Sequence, residues 1–405
     1  MPRSASLCAC CILILAATMA AEPVLPAADE PEPITVLQPF IDNHALAGAV
    51  TAVISRDRLL SLEAIGKADL AAGKPMTTDA LFWVASMSKP MTATALMMLV
   101  DEGKVHLDDA VEKYLPEFRG QMLIAHQEEG QLILKKPAHP ITVRNILTHT
   151  SGLPFSSRIE TPSGYKADLF PLATAVIGYA LTPLKTEPDS AFAYCNAGIN
   201  TAGRIIEVVS GVPYETFMAE RLFKPLGMVD TTLWPDDAQL QRLAKSYRPN
   251  AGKDGLDEIP IDQLTYPLGN HRRGPSPAGG YFSTAADMAR FARMILCGGA
   301  VDGHRYLTQE SLREMTSTQA GGRLNDPSRG NGYGFGWFTD AKSIEGAAAP
   351  AAPCGHGGAY NTDLHVDPAR GLAVIFMVQH NGWALGGEHA RPTYEKAAVE
   401  AFQAK

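Results

Sequence analysis

Cysteine is scarce in this sequence, with six in 405 residues. Three of the six, Cys8, Cys10 and Cys11, fall within the first eleven positions. The others, Cys195, Cys297 and Cys354, are odd in number and have no metal-ligand spacing. Mostly buried thiols are expected, with at most one disulfide. The eleven histidines include no HExxH and no zinc-type His/Cys cluster, so no cofactor or metal is expected. Basic blocks are also missing. The formal net charge is -8, and an acidic chain of this kind is a poor partner for nucleic acid. Lys135-Lys136 and His271-Arg272-Arg273 are too short to change that and read as solvated surface features. After the first twenty residues no apolar run is long enough to cross a membrane.

What is present is ordinary globular composition, 46% hydrophobic and 19% charged, with ample length for a large core. Residues 1–20 read as a signal peptide. Arg3 supplies the positive region, Leu7 to Ala17 the apolar stretch, and Thr18-Met19-Ala20 a small-residue cleavage site. Residues 21–33, rich in Pro, Ala, Asp and Glu, read as a linker. An exported protein, periplasmic or secreted, is the expectation.

Along the rest of the chain, Ala47 to Ile54 and Leu59 to Ile65 alternate as a β-hairpin around Ser55–Arg58. From Ser86 the pattern turns helical, with Met87, Met91, Leu96, Met98 and Leu99 at helical intervals and Gly103 as a stop. This methionine stripe reads as core. A second hairpin is expected within 119–140. Helices are expected at Ala197–Ser210, Pro213–Phe223 and Ala285–Leu296. Tyr333–Phe338, Asp363–Val366 and Leu372–Val378 read as antiparallel strands, followed by a helix over Pro392–Ala404. The order predicts an α+β fold, an antiparallel sheet built from both chain ends and flanked by helices, with a mainly helical domain inserted. The domain spans 34–403, with its α/β part over 34–85 and 275–403 and its helical part over 86–274.

Three clusters carry candidate chemistry. Ser86-Met87-Ser88-Lys89 is an SxxK motif at a helix start. Residues three apart share a helix face, so the Lys89 amine lies one turn from the Ser86 hydroxyl. A hydroxyl needs such a base, and the helix N-terminus supplies N–H groups for an oxyanion. By itself the motif is weak. With 19 serines and 15 lysines, chance produces about 0.7 such spacings. A second match, Ser163 to Lys166, lies among Pro162, Gly164 and Ser156-Ser157, a loop composition, and reads as the chance one. Tyr194-Cys195-Asn196 offers a proton-shuttling phenol and an amide. Standing alone it reads as a buried tyrosine and a helix-capping asparagine. His356-Gly357-Gly358 permits close approach of a substrate or backbone. Alone it reads as a glycine-rich turn.

Together, in this order, the three clusters resemble the serine β-lactamase and penicillin-binding-protein superfamily. The resemblance is to the class C β-lactamase-like group, with its DD-peptidases, D-aminopeptidases and family VIII carboxylesterases. Ile141–Leu153, Leu222–Met228, Pro277–Thr284 and Tyr333–Trp337 add to it, and it covers about 34–403. It implies that Ser86 is acylated, that Lys89 and Tyr194 transfer protons, and that Asn196 contacts the substrate amide. It places His356, Gly357 and Gly358 where relatives carry Lys-Thr-Gly on the sheet's edge strand. The oxyanion hole would be the N–H groups of Ser86 and Ala359. His149 and Ser151, tempting as a dyad, would be structural.

The departures bear on substrate. Typical class C β-lactamases carry a lysine at the position of His356 and a hydroxyl residue at that of Gly357. Histidine is mostly neutral at pH 7. Protonation of His356 is therefore expected to govern how well anionic substrates are held. The expected function is a carboxylesterase or a D-amino-acid peptidase with at most weak β-lactamase activity. Its substrates would be small esters, peptides or β-lactams, peptidoglycan peptides among them. A class C-type β-lactamase and a slowly deacylating penicillin sensor are the alternatives.

Overall fold

The computed structural model describes residues 32–157, 166–320, 332–339 and 353–403. The leader over 1–20, the linker up to residue 31, and Ser163 lie outside them. Pro33, the last residue of the expected linker, instead opens a 3-10 turn, Pro33–Leu37, and is buried.

Alternating apolar residues form the expected first hairpin, Gly48–Ser55 (β1) and Leu59–Asp69 (β2). β1 is buried on both faces, as a central strand between two layers must be. Beyond β2 lies Lys74–Pro75 (β3). The chain returns to the same sheet with Gly332–Tyr333 (β4), Phe338–Thr339 (β5), Cys354–Gly357 (β6), Asp363–Asp367 (β7) and Leu372–Met377 (β8). The order is β4-β5-β6-β7-β8-β1-β2-β3, antiparallel throughout. Pairing of β8 with β1, from Val50↔Met377 to Ser55↔Leu372, joins the two ends of the chain.

Between these ends run Ser88–Asp101 (α1), Val143–Thr148 (α2) and Asn196–Ser210 (α3), followed by Ala285–Leu296 (α4), with Ala390–Gln403 (α5) after the last strand. Every residue of α1 from Ser88 to Leu99 is buried. A helix enclosed on all sides must be apolar all round, and its methionines fill that role. Its polar Thr92 is satisfied by the Ser88 and Pro277 carbonyls and the Tyr214 hydroxyl. Gly103, at φ 67°, follows the end of α1 in the left-handed conformation that a stop requires. α4 covers one sheet face. α5 and Pro33–Leu37 cover the other, where Ile34, Leu37, Val53, Phe376 and Tyr394 form a second apolar layer. The result is a mixed α/β protein with a large antiparallel sheet and helices on both sides. The hairpin within 119–140 is present as Leu123–Glu128 and Gln131–Lys135.

Two expectations are corrected. Tyr333–Phe338 is not one strand. β4 and β5 flank a loop in which Gly336 has φ 76° and lies against the Lys89 carbonyl, while Phe335 and Trp337 are buried. The segment is a hairpin turn, closed by the Gly334 amide donating to the Trp337 carbonyl at 2.8 Å, which its two glycines permit. The run His271-Arg272-Arg273 is not wholly solvated. Arg273 is buried and paired with Asp168, Nε to Oδ2 at 2.5 Å.

Candidate active site

Ser86 lies in a 3-10 turn, Ala85–Met87, that leads into α1. Ala85 has φ 45°, in the left-handed region that residues with a Cβ avoid. The turn is held by Ser88 Oγ donating to the Ala85 carbonyl at 2.6 Å and by Met87 N–H donating to the Val84 carbonyl at 3.0 Å. Its effect is to push Ser86 outward: every residue from Ala80 to Leu99 is buried except Ser86. Ser88 is spent on this turn and on the Tyr281 amide, which it accepts at 3.3 Å.

Lys89 is buried beneath Ser86. Its Nζ lies 3.2 Å from Ser86 Oγ, 2.8 Å from Asn196 Oδ1 and 2.8 Å from the Ala278 carbonyl. The two carbonyl oxygens only accept, so they fix two N–H directions of the amine. The next tetrahedral direction points at Ser86, whether it carries a hydrogen or a lone pair. Nζ also lies 4.6 Å from the centroid of the Tyr194 ring. Tyr194 and Asn196 come from the extended segment that enters α3. Cys195, not Asn196, takes the cap position, which leaves the Asn196 amide for Lys89.

The third cluster comes from β6. It is not the outermost strand, since β5 and β4 lie beyond it. β5 pairs only with Cys354 and Gly355, however, so among the described residues no strand pairs with that side of β6 from His356 onward. His356 is a buried strand residue, 3% exposed, and not part of a solvated turn. Gly358 packs against the segment before Ser86. A Cβ there would overlap Thr362 Oγ1 and sit 2.7 Å from the Val84 carbonyl. Glycine at 358 is what lets the end of β6 approach the start of α1.

Ser86, Tyr194, Asn196, His356, Gly357, Gly358 and Ala359 thus line one cleft of about 960 Å³, with Lys89 under its floor. Phe155 and Phe338 add aromatic walls, and Asp363, His365, Glu388 and Arg391 line it further along. His149 does not face Ser151 as a dyad. Its Nδ1 receives the Cys195 amide at 3.3 Å and its Nε2 meets the Tyr333 hydroxyl at 3.0 Å. Burial, then Lys89 and His356, hold its pKa well below the usual histidine range. Burial likewise pushes the Cys195 thiol up. The three later cysteines are free, with Cys195 and Cys354 buried. Among the described residues no His/Cys/Asp/Glu group is placed to hold a metal ion, and no helix is long and apolar enough to cross a membrane.

Sequence reasoning missed Tyr333, His149 and the Ala278 carbonyl as parts of this surround. Ala278 lies within Pro277–Thr284, but a main-chain oxygen leaves no mark in residue identity.

The family pattern described as Beta-lactamase matches residues 34–398. The chain belongs to that family. It is 33% identical over 337 residues to penicillin-binding protein 4 of Amycolatopsis lactamdurans, covering 83% of this chain and 81% of that protein. It is 29% identical over 367 residues to esterase EstB of Burkholderia gladioli, covering 84% and 88%. The solved structure of EstCE1, a hydrolase with promiscuous acyltransferase activity, matches with a TM-score of 0.72 and 23% identity over 92% of this chain and 97% of that one, which shows the shared fold. The protein is accordingly a serine hydrolase of the β-lactamase family.

Proposed function

We propose that this β-lactamase-family hydrolase is an exported carboxylesterase that works through an acyl-enzyme on Ser86. The observation that carries the reading is the oriented amine of Lys89, 3.2 Å from Ser86, the one residue between Ala80 and Leu99 that is not buried. Ser86 Oγ attacks the ester carbonyl and its proton passes to Lys89. Tyr194, beside that amine, returns a proton to the departing alkoxide as the C–O bond breaks. The backbone N–H groups of Ser86 and Ala359 receive the oxyanion. Water then attacks the Ser86 ester with Tyr194 as general base, and the acid leaves as Ser86 regains its proton. Asn196 holds Lys89 and can meet a substrate carbonyl with its amide. No step calls for a cofactor. The kinship with proteins named esterase and penicillin-binding protein supports acyl transfer as the chemistry, and the absence of a lysine and a hydroxyl at His356-Gly357 favours esters over β-lactams. Export rests on the leader pattern over 1–20.

A panel of p-nitrophenyl acetate, a D-Ala-D-Ala peptide and nitrocefin, run on the wild type and Ser86→Ala, tests this. Ester turnover that disappears in Ser86→Ala is expected. Activity surviving in Ser86→Ala overturns the nucleophile. A long-lived penicillin adduct on Ser86 by intact mass, without ester turnover, overturns the esterase in favour of a sensor. A mature N-terminus at Ala21 in periplasm or medium is the expected sign of export.

A further inference from the structure

A polar chain runs behind the cleft and takes no part in the acyl-transfer steps. It starts at the Cys195 amide, which donates to His149 Nδ1 at 3.3 Å. An amide N–H cannot reverse, so Nδ1 accepts and neutral His149 carries its hydrogen on Nε2. Nε2 meets the Tyr333 hydroxyl at 3.0 Å, where the tyrosine oxygen accepts. The tyrosine's own hydrogen turns to His356 Nε2, at 3.4 Å the longest link. His356 Nδ1 lies 2.8 Å from the Gly357 carbonyl, which can only accept. The chain therefore runs one way, from an amide to a carbonyl, with both ends fixed by the backbone.

We propose that His149 and Tyr333 hold His356 in its neutral Nδ1–H form, so that the cleft selects uncharged esters over substrates with a carboxylate near the scissile bond. The inference rests on Ser86 being the nucleophile of this cleft. A second proton on His356 would go to Nε2. The Tyr333 oxygen would then face two N–H groups, and its own hydrogen would lose its acceptor at a fully buried site. Among the described residues, the titratable groups facing the histidines include Lys89 from α1 and Tyr194 and Cys195 from the entry to α3, with Tyr333 from β4. Lys89 and His356 both act against a charge on His149. On the far side of β6, Asp363 stands beside Gly357 but is engaged by Arg391 at 3.2 Å. Arg391, the arginine along the cleft, is also paired with Glu395 at 3.2 Å. Neither arrangement offers a substrate carboxylate the bare cation that a lysine at 356 would.

The test uses the full chain, wild type and Tyr333→Phe, with p-nitrophenyl acetate and the anionic mono-p-nitrophenyl glutarate, from pH 5.5 to 8. The wild-type ratio of kcat/KM for the two esters is expected to stay constant. In Tyr333→Phe, His356 Nε2 can take a proton, and the ratio should move toward the anionic ester by about fivefold at pH 5.5, through KM. Histidine 15N spectra of the Ser86→Ala chain, with His356 assigned by a further His356→Asn change, should show the neutral Nδ1–H form across the range. That measurement needs no turnover, so it separates failure here from failure of the Ser86 reading, which appears as activity surviving in Ser86→Ala. An imidazolium or Nε2–H form of His356, a wild-type ratio that swings with pH, or a Tyr333→Phe ratio that follows the wild type overturns the proposal.

Discussion

Lys89 and Asn196 are 107 residues apart in the chain, yet Nζ and Oδ1 are 2.8 Å apart in space. With the Ala278 carbonyl, this contact aims the amine at Ser86. Asn196→Ala should remove one of the two carbonyl acceptors that aim the amine and lower kcat by about 10². Lys89→Met should lower it further, and the double variant should resemble Lys89→Met alone, because the pair acts as a unit. Steady-state kinetics on an ester give the three values. Additive losses would count against a shared role.

Gly358→Ala should damage the oxyanion arrangement proposed for the Ser86 and Ala359 amides. Its methyl would meet Thr362 Oγ1 and the Val84 carbonyl, and relief requires β6 to move away from the turn that holds Ser86. A loss of about 10² in kcat/KM is expected, with a smaller effect on KM. Thr362→Ala in the same chain should restore part of it by removing one of the two clashes. Gly357→Ala is the control, since its Cβ would meet Asp363 Oδ2 at 3.2 Å, a contact that a side chain can yield.

Acid stability should depend on His380. Burial depresses its pKa to about 3, and its Nε2 accepts the Ala47 amide at 3.2 Å. The unfolded chain takes up a proton as pH falls below about 6.5, while the folded chain does not until about pH 3. The stabilisation is therefore complete above pH 6.5 and is lost progressively as pH falls toward that folded value. The slope is about 1.4 kcal/mol per pH unit. His380→Asn should lower stability at pH 7 through the altered Ala47 contact, but flatten the fall between pH 6.5 and 4. Denaturant unfolding at several pH values measures the slope, and an unchanged slope would exclude His380 as its source.

Asp168→Ala should be among the most destabilising single changes. Arg273 and Asp168 have side chains only 2% and 1% exposed, and Arg273 also donates to the Leu233 carbonyl at 2.9 Å. Asp168 further accepts from the Thr265 amide and hydroxyl. Removing the carboxylate leaves a buried guanidinium unpaired, at a cost of about 3–5 kcal/mol. Arg272→Ala, one residue away and exposed, should stay within about 0.5 kcal/mol. Urea unfolding of both variants gives the comparison.

Residue identities alone determined the elements whose rules are local. The hairpin read over Ala47–Ile54 and Leu59–Ile65 and found at Gly48–Ser55 and Leu59–Asp69, the methionine-rich helix after Ser86 and its glycine stop follow from backbone periodicity over a few residues. The Ser86–Lys89 approach is of the same kind, since one helical turn brings residues three apart together. The strand expected over Tyr333–Phe338 failed because Gly334 and Gly336 let the chain fold back there, with the Gly334 amide donating to the Trp337 carbonyl at 2.8 Å. The solvated reading of Arg273 failed because Asp168, 105 positions away, carries no local signal of the pairing. Only the tertiary structure decided what surrounds the amine and the histidine. Ala278 serves Lys89 through its carbonyl, which every residue possesses, and Tyr333 and His149 reach His356 only after β4, β6 and α2 are packed together. Side-chain chemistry can be read along a chain, whereas hydrogen-bond direction and charge state depend on which distant groups packing brings within 3 Å or so.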